Sequence, residues 1–251
     1  MKKGKYRFKN NNQTVSIFPV SDIHYGTEFC NEEFFEYMLH KFDKTRGFKI
    51  MYLLGDLMDC ATKRLGNSAY KQIYTPQEQL DYIVEKFKPF KRHIRGVVPG
   101  NHELRYKKEF DLDITKILAN ELNVPYFNTI NDYLNINGVD YHIFGVHGTK
   151  TSQQLHLMHG QVQRQTDSMI ANLILYGHCH YLSHLSTVKE INNEYFRTHY
   201  VLTGHYLKYK RSYAEEKLLK PNLEGFAKID VDKNLRTNVQ LFNIDECCVG
   251  K

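Results

Sequence analysis

The chain has no run of about eighteen consecutive apolar residues, the length a membrane-spanning helix needs, so no spanning segment and no membrane partner are expected. Residues 1–12 are basic and polar and lack an apolar core, so no secretory leader is expected there. Cysteine is sparse. Cys30, Cys60, Cys179, Cys247 and Cys248 are odd in number and lack zinc-finger spacing, which argues against a disulfide scaffold. The expectation is reduced thiols in a cytoplasmic protein. No internal repeat, low-complexity tract or linker interrupts the chain. Its 251 residues suffice for one sizeable core, and 1–251 reads as a single domain.

What is present is an ordinary globular composition, 41% hydrophobic and 25% charged, with a formal charge of +6. The positive surplus favours an acidic partner such as DNA or RNA. Basic residues cluster at Lys2, Lys3, Lys5, Arg7 and Lys9, at Lys86, Lys88, Lys91, Arg92 and Arg95, and at Lys208, Lys210 and Arg211. A charge cluster is as often only a solvated face.

Apolar runs predict strands at 15–20, 50–54, 97–98, 133–136, 140–146 and 173–176, then at 195–202, 226–231 and 239–242. Asn137-Gly138 between two of them is a hairpin signal. Helical spacing predicts a helix capped by Asn31, one opened by Thr75-Pro76, one over 113–122 and one within 152–170. Strands alternating with helices, followed by a strand-rich end, indicate an α/β core. The polar segment 60–74 reads as a surface insertion near the site.

The strand ends carry the chemistry. The first ends in Asp22-Ile23-His24-Tyr25-Gly26, the second in Gly55-Asp56-Leu57-Met58-Asp59, and the third in Gly100-Asn101-His102-Glu103. Two later ones end in His147-Gly148 and Gly177-His178-Cys179-His180. In α/β sheets the carboxyl ends of strands converge on the ligand crevice. Carboxylates, imidazoles and an amide carbonyl suit Mn, Fe, Zn, Co or Ni without any thiolate. So many ligands in one crevice point to two ions rather than one, with a carboxylate such as Asp56 between them.

This ordered set resembles the calcineurin-like metallophosphoesterase superfamily over roughly residues 15–180. The resemblance implies a four-layer αββα sandwich of two mixed β-sheets, with a dinuclear metal site at the strand C-terminal ends. It implies that Asp22, His24, Asp56 and His180 hold one divalent ion, manganese above all. Asp56, Asn101, His147 and His178 hold the other. His102 takes the place of the family's catalytic histidine and Asp59 that of the carboxylate orienting it. A bridging hydroxide would attack the phosphate ester while His102 assists the leaving group. Arg105 and His205 are candidate substrate contacts. His156 and His159, one helical turn apart, could face the site. Cys179 should point away if strand alternation continues past Gly177. The remaining histidines, His40, His93, His142, His184 and His199, read as structural.

Protein phosphatases of the superfamily place Arg-Gly after the residue matching Asp59. Cys60-Ala61 stand here, which argues against that subfamily. The first motif is more similar to exonucleases of DNA double-strand-break repair. These usually carry Asp where Glu103 stands, and a longer C-terminal cap. The leading expectation is hydrolysis of a phosphodiester in a nucleic acid or nucleotide. The alternatives are a small-molecule or cyclic-nucleotide phosphodiesterase or phosphatase, and a non-catalytic metal-binding scaffold.

Overall fold

The computed structural model describes residues 4–7, 13–61, 72–149, 152, 154–210, 215 and 222–247. Its strands form two mixed sheets. In the first, β2 (Thr14–Val20) lies beside β3 (Phe48–Leu53), and β3 beside β4 (Ile94–Val97), all parallel. Antiparallel β10 (Gly225–Asp232) and β11 (Thr237–Asn243) extend it beyond β2. The second runs β1 (Gly4–Tyr6), β5 (Ile130–Ile136), β6 (Val139–Val146), β7 (Leu173–Tyr176), β9 (Glu194–His205) and β8 (Leu182–Ile191). A short pairing of His205 with Gly225 and Gly204 with Phe226 joins the two. The hairpin predicted at Asn137-Gly138 links β5 to β6, and both residues have positive φ, +50° and +96°.

Three apolar clusters define the layers. Val15, Ile17, Tyr52 and Ile229 of the first sheet meet Ile130, Leu134, Ile143 and Val201 of the second, so one core lies between the sheets. The outer face of the first sheet buries Phe18, Met51 and Leu53 against α1 (Glu32–Lys44), α2 (Pro76–Phe87) and α4 (Ile114–Leu122). The outer face of the second buries Ile174, Tyr176 and Tyr200 against Met158 and Val162 of α5 (Leu155–Gln165). This is the expected four-layer αββα sandwich. The helix expected within 152–170 is shorter than that window.

Helices start at Asn31 and at Thr75-Pro76 as expected, and side-chain caps hold these starts and that of α4. The Asn31 side chain accepts the Phe34 amide, and Asp113 accepts that of Lys116. Thr75 and Glu78 complete a capping box at α2. Five described elements went unpredicted: β1, β8, α3 (Asn101–Phe110), the 3-10 helix Lys88–His93 and the short helix Ile244–Cys247. Most of the 60–74 insertion lies outside the described residues, as do Lys2, Lys3, Lys9, Arg211 and Cys248. Among the described residues no helix is long and apolar enough to cross a membrane.

Candidate metal centre

The parallel strands β2, β3, β4, β6 and β7 deliver their carboxyl ends to one edge of the sandwich, and the chain turns sharply there. Asp22 (φ +54°), His24 (+50°), Asp56 (+49°), His178 (+64°) and His180 (+52°) are all left-handed. That region disfavours residues with a Cβ, and such strain collects at functional sites. Backbone bonds brace the turns, with the Asp22 and His24 amides donating to the carbonyls of Gly55 and Asp56, each at 3.0 Å. The loops approach so closely that glycine is obligatory at position 100. A Cβ there would lie 2.1 Å from the Asp56 amide nitrogen and from its Oδ1.

Three overlapping groups of potential ligands result: Asp22, His24 and His180; His24, Asp56 and His102; Asp56, His147 and His178. His180 Nε2 lies 3.3 Å from Asp22 Oδ1 and 3.1 Å from His24 Nε2. His147 Nε2 lies 3.2 Å from Asp56 Oδ2 and 3.0 Å from Asn101 Oδ1. The structure therefore brings together all seven residues expected as ligands. Asp22 is aimed by its surroundings: Ser21 Oγ bonds Oδ2, the His178 amide donates to Oδ2 at 3.0 Å and to Oδ1 at 3.2 Å, and Oδ1 also faces His180.

The donor set fits divalent cations. The Nδ1 of His147 faces the Leu54 carbonyl at 2.8 Å and donates to it. In the neutral ring, Nε2 then presents a lone pair to two oxygen acceptors, a repulsive cluster unless a cation or a proton lies among them. His178 Nδ1 is buried without a hydrogen-bond partner, an orphaned lone pair or N–H that a ligand role would satisfy. Without a cation the proton substitutes. Burial pushes the His147 imidazole down, but Asp56 and the Leu54 carbonyl outweigh it and carry it up to about 10. Asp56 is held well below the carboxylate range, its burial outweighed by His147, His102 and His24. His24, fully buried beside His102, is pushed well down.

His102 sits at the mouth, its side chain 17% exposed and its Nε2 3.9 Å from Asp56 Oδ2. The ring is fixed through Nδ1, which donates to the backbone carbonyl of Asp59 at 2.8 Å and lies 3.3 Å from that residue's carboxylate. Asp59 thus meets the His102 ring with its backbone carbonyl as well as its carboxylate. Burial lowers the His102 pKa, but Asp56 and Asp59 together raise it above the usual imidazole value.

Other expected residues are placed less centrally. Arg105 lies half-buried on α3, its charge acting on His102 and Cys60. His205 is 4% exposed, stacks on His180 at 5.4 Å, and accepts the Leu207 amide at Nδ1. His159 bonds Ser183 and is not among the ligand groups; His156, on the same helix, is exposed. Cys179 packs against the outer core of the second sheet, but alternation is not the reason, because His178 and His180 are both left-handed. Arg95, assigned to a basic cluster, is engaged by the buried Asp132 at 2.9 and 2.8 Å.

Sequence reasoning assigned no role to Glu103. It is 2% exposed and accepts the amides of Asp56, Leu57, Met58 and Gly100. Gln79 was also missed: it is buried and bonds the Cys60 amide, tying down the turn after Asp59. The only available signal was a polar residue at a helical position facing the core.

Similar solved structures include a metallophosphoesterase from Sphaerobacter thermophilus, 12% identical over 92% of this chain and 88% of that one, with a TM-score of 0.48. Vacuolar protein sorting 29 from Cryptosporidium parvum is 13% identical over 92% of this chain and 98% of that one, with a TM-score of 0.45. A predicted phosphoesterase from Streptococcus pneumoniae is 13% identical over 92% and 98%, with a TM-score of 0.40. No curated protein matches the chain by sequence. The calcineurin-like phosphoesterase family matches residues 16–209, a span that contains every strand-end motif from Asp22 to His180. On that match the chain belongs to the calcineurin-like phosphoesterases, whose chemistry is metal-dependent hydrolysis of phosphate esters.

Proposed function

We propose that the chain hydrolyses a phosphodiester of a nucleic acid or nucleotide. Asp22, His24, Asp56 and His180 hold one divalent cation, and Asp56, Asn101, His147 and His178 hold the other. The observation that carries this reading is the overlap of the ligand groups, which share His24 and Asp56 across one strand-end edge. Bound cations, manganese foremost among Mn, Fe, Zn, Ni and Co, supply charge to draw in the phosphate and acidify a water for attack.

The chain's own residues do the rest. With Nδ1 committed to Asp59, His102 has Nε2 free to hold a proton for the leaving oxygen. Arg105 offers a guanidinium to a phosphate oxygen. His205 accepts at Nδ1, so its neutral ring is protonated at Nε2, a buried donor without a partner. That supports its reading as a substrate contact. A polyanionic substrate is supported by the +6 charge and by Lys88, Lys91, Arg92, Lys208 and Lys210, all exposed. The reading takes 1–251 as one domain acting in the cytoplasm, supported by the few, odd-numbered cysteines of the sequence.

The test is a comparison of substrates with the manganese-loaded protein. Single-stranded DNA should be cut, with binding that weakens steeply as salt rises. Hydrolysis of bis(p-nitrophenyl) phosphate with intact DNA would overturn the nucleic-acid reading in favour of a small diester. Hydrolysis of neither would favour a scaffold.

A further inference from the structure

We infer that Glu103 is the positioning residue of this centre, a buried anion that clamps the 56–58 turn to Gly100 and so sets Asp56 between the two ligand groups. The inference rests on the proposed role of Asp56 as shared ligand.

Glu103 Oε1 accepts the amides of Leu57 at 2.8 Å and Met58 at 3.0 Å. Its Oε2 accepts those of Asp56 at 3.0 Å and Gly100 at 2.9 Å. The Gly100 bond is what a glutamate in the first turn of α3 ordinarily makes to the residue before the helix. The other three are not helix capping, since they reach back to the end of β3. Gly55 (φ +82°) and Asp56 (φ +49°) are successive left-handed residues. Such a turn converges its N–H groups into an anion-binding concavity. Here the chain's own carboxylate fills it.

The same turn is held from its other side, where the His102 amide donates to Asp56 Oδ1 at 2.8 Å. Asp56 is therefore fixed at both its backbone and its carboxylate by one short stretch, Gly100 to Glu103. No neutral side chain of this shape can replace the clamp. Glutamine has one acceptor oxygen, and its amide group would turn donors toward donors. The left-handed turn would then relax and carry Asp56 away from His147 and His24. Loss of partners that orient ligands costs about ten- to a hundredfold in metal affinity.

The experiment is calorimetric titration of Mn²⁺ into the metal-free protein, for wild type, Glu103→Gln, Glu103→Asp and Asp56→Asn. Glu103→Gln should bind Mn²⁺ about ten- to a hundredfold more weakly, and Glu103→Asp, which keeps the anion, should recover most of the loss. A residue serving stability alone would lower the urea midpoint and leave the Mn²⁺ affinity of the folded protein unchanged. That outcome, with Asp56→Asn weakened, would overturn the inference and spare the reading of Asp56. Wild-type affinity in Asp56→Asn would overturn both. Amide exchange of the metal-free wild type gives a check that needs no variant. Leu57 and Met58 should exchange as slowly as β3, and open-loop rates would contradict the clamp.

Discussion

His147 makes the clearest chemical demand of any single residue. Its pKa of about 10 lies above the ordinary imidazole value, so in the metal-free protein the ring is charged at neutral pH. That proton stabilises the metal-free fold fully below about pH 6.5, and the contribution is lost as pH rises toward 10. A cation needs the Nε2 lone pair, so its uptake must release the proton, and affinity should strengthen as pH rises through neutrality. Calorimetry in buffers of different ionisation enthalpy should show this release; a heat independent of buffer would contradict it. Gly100→Ala tests the close approach of the loops. Its Cβ has no room beside Asp56, so the variant should lose Mn²⁺ binding while retaining strand content by circular dichroism. At this scale the ligands were legible because each follows an apolar run beside a glycine. Their left-handed backbones were not, since even Asp and His adopt positive φ too rarely for their identity to mark it. Glu103 was hidden for a related reason: its partners are backbone amides, which look alike in any sequence.

Among the elements, those with both an apolar stripe and a cap were readable. In α2, Thr75 and Pro76 marked the start, and Leu80, Ile83, Val84 and Phe87 marked one face, of which all but Val84 are buried. Thr75→Ala should cost about 1 kcal/mol in urea unfolding without changing Mn²⁺ affinity. An unchanged midpoint would remove the cap from the account. By contrast, α3 buries only Glu103 fully, and its apolar Leu104, Tyr106 and Phe110 are half-buried or exposed, so hydrophobic periodicity had little to report. Its place is set by the loop that presents Asn101 and His102. The edge strand β8 is half-buried with Leu185, Val188 and Glu190 exposed and shows no regular alternation, and β1 is only three residues long.

For the whole molecule, the site depends on two sheets held in register, because β2, β3 and β4 lie in one and β6 and β7 in the other. Asp132 on β5, 1% exposed, accepts Arg95 from β4 through two bonds and the Tyr52 hydroxyl from β3 at 2.8 Å. Arg95→Met would leave that carboxylate without its cation and should cost about 3 kcal/mol, read as a lower urea midpoint. The α/β core followed from the alternation of strands and helices, and the four layers were implied by the family resemblance. This polar tie between the sheets did not, because it joins residues distant in sequence with no motif between them. A shared two-cation centre served by a separate proton donor is tested most directly by metal content measured beside turnover. Wild type and His102→Ala should each hold two Mn²⁺ per chain, with turnover of a phosphodiester lowered about a hundredfold or more in the variant, and Asp56→Asn should lose both ions. One ion per chain in the wild type, or full turnover in His102→Ala, would contradict it.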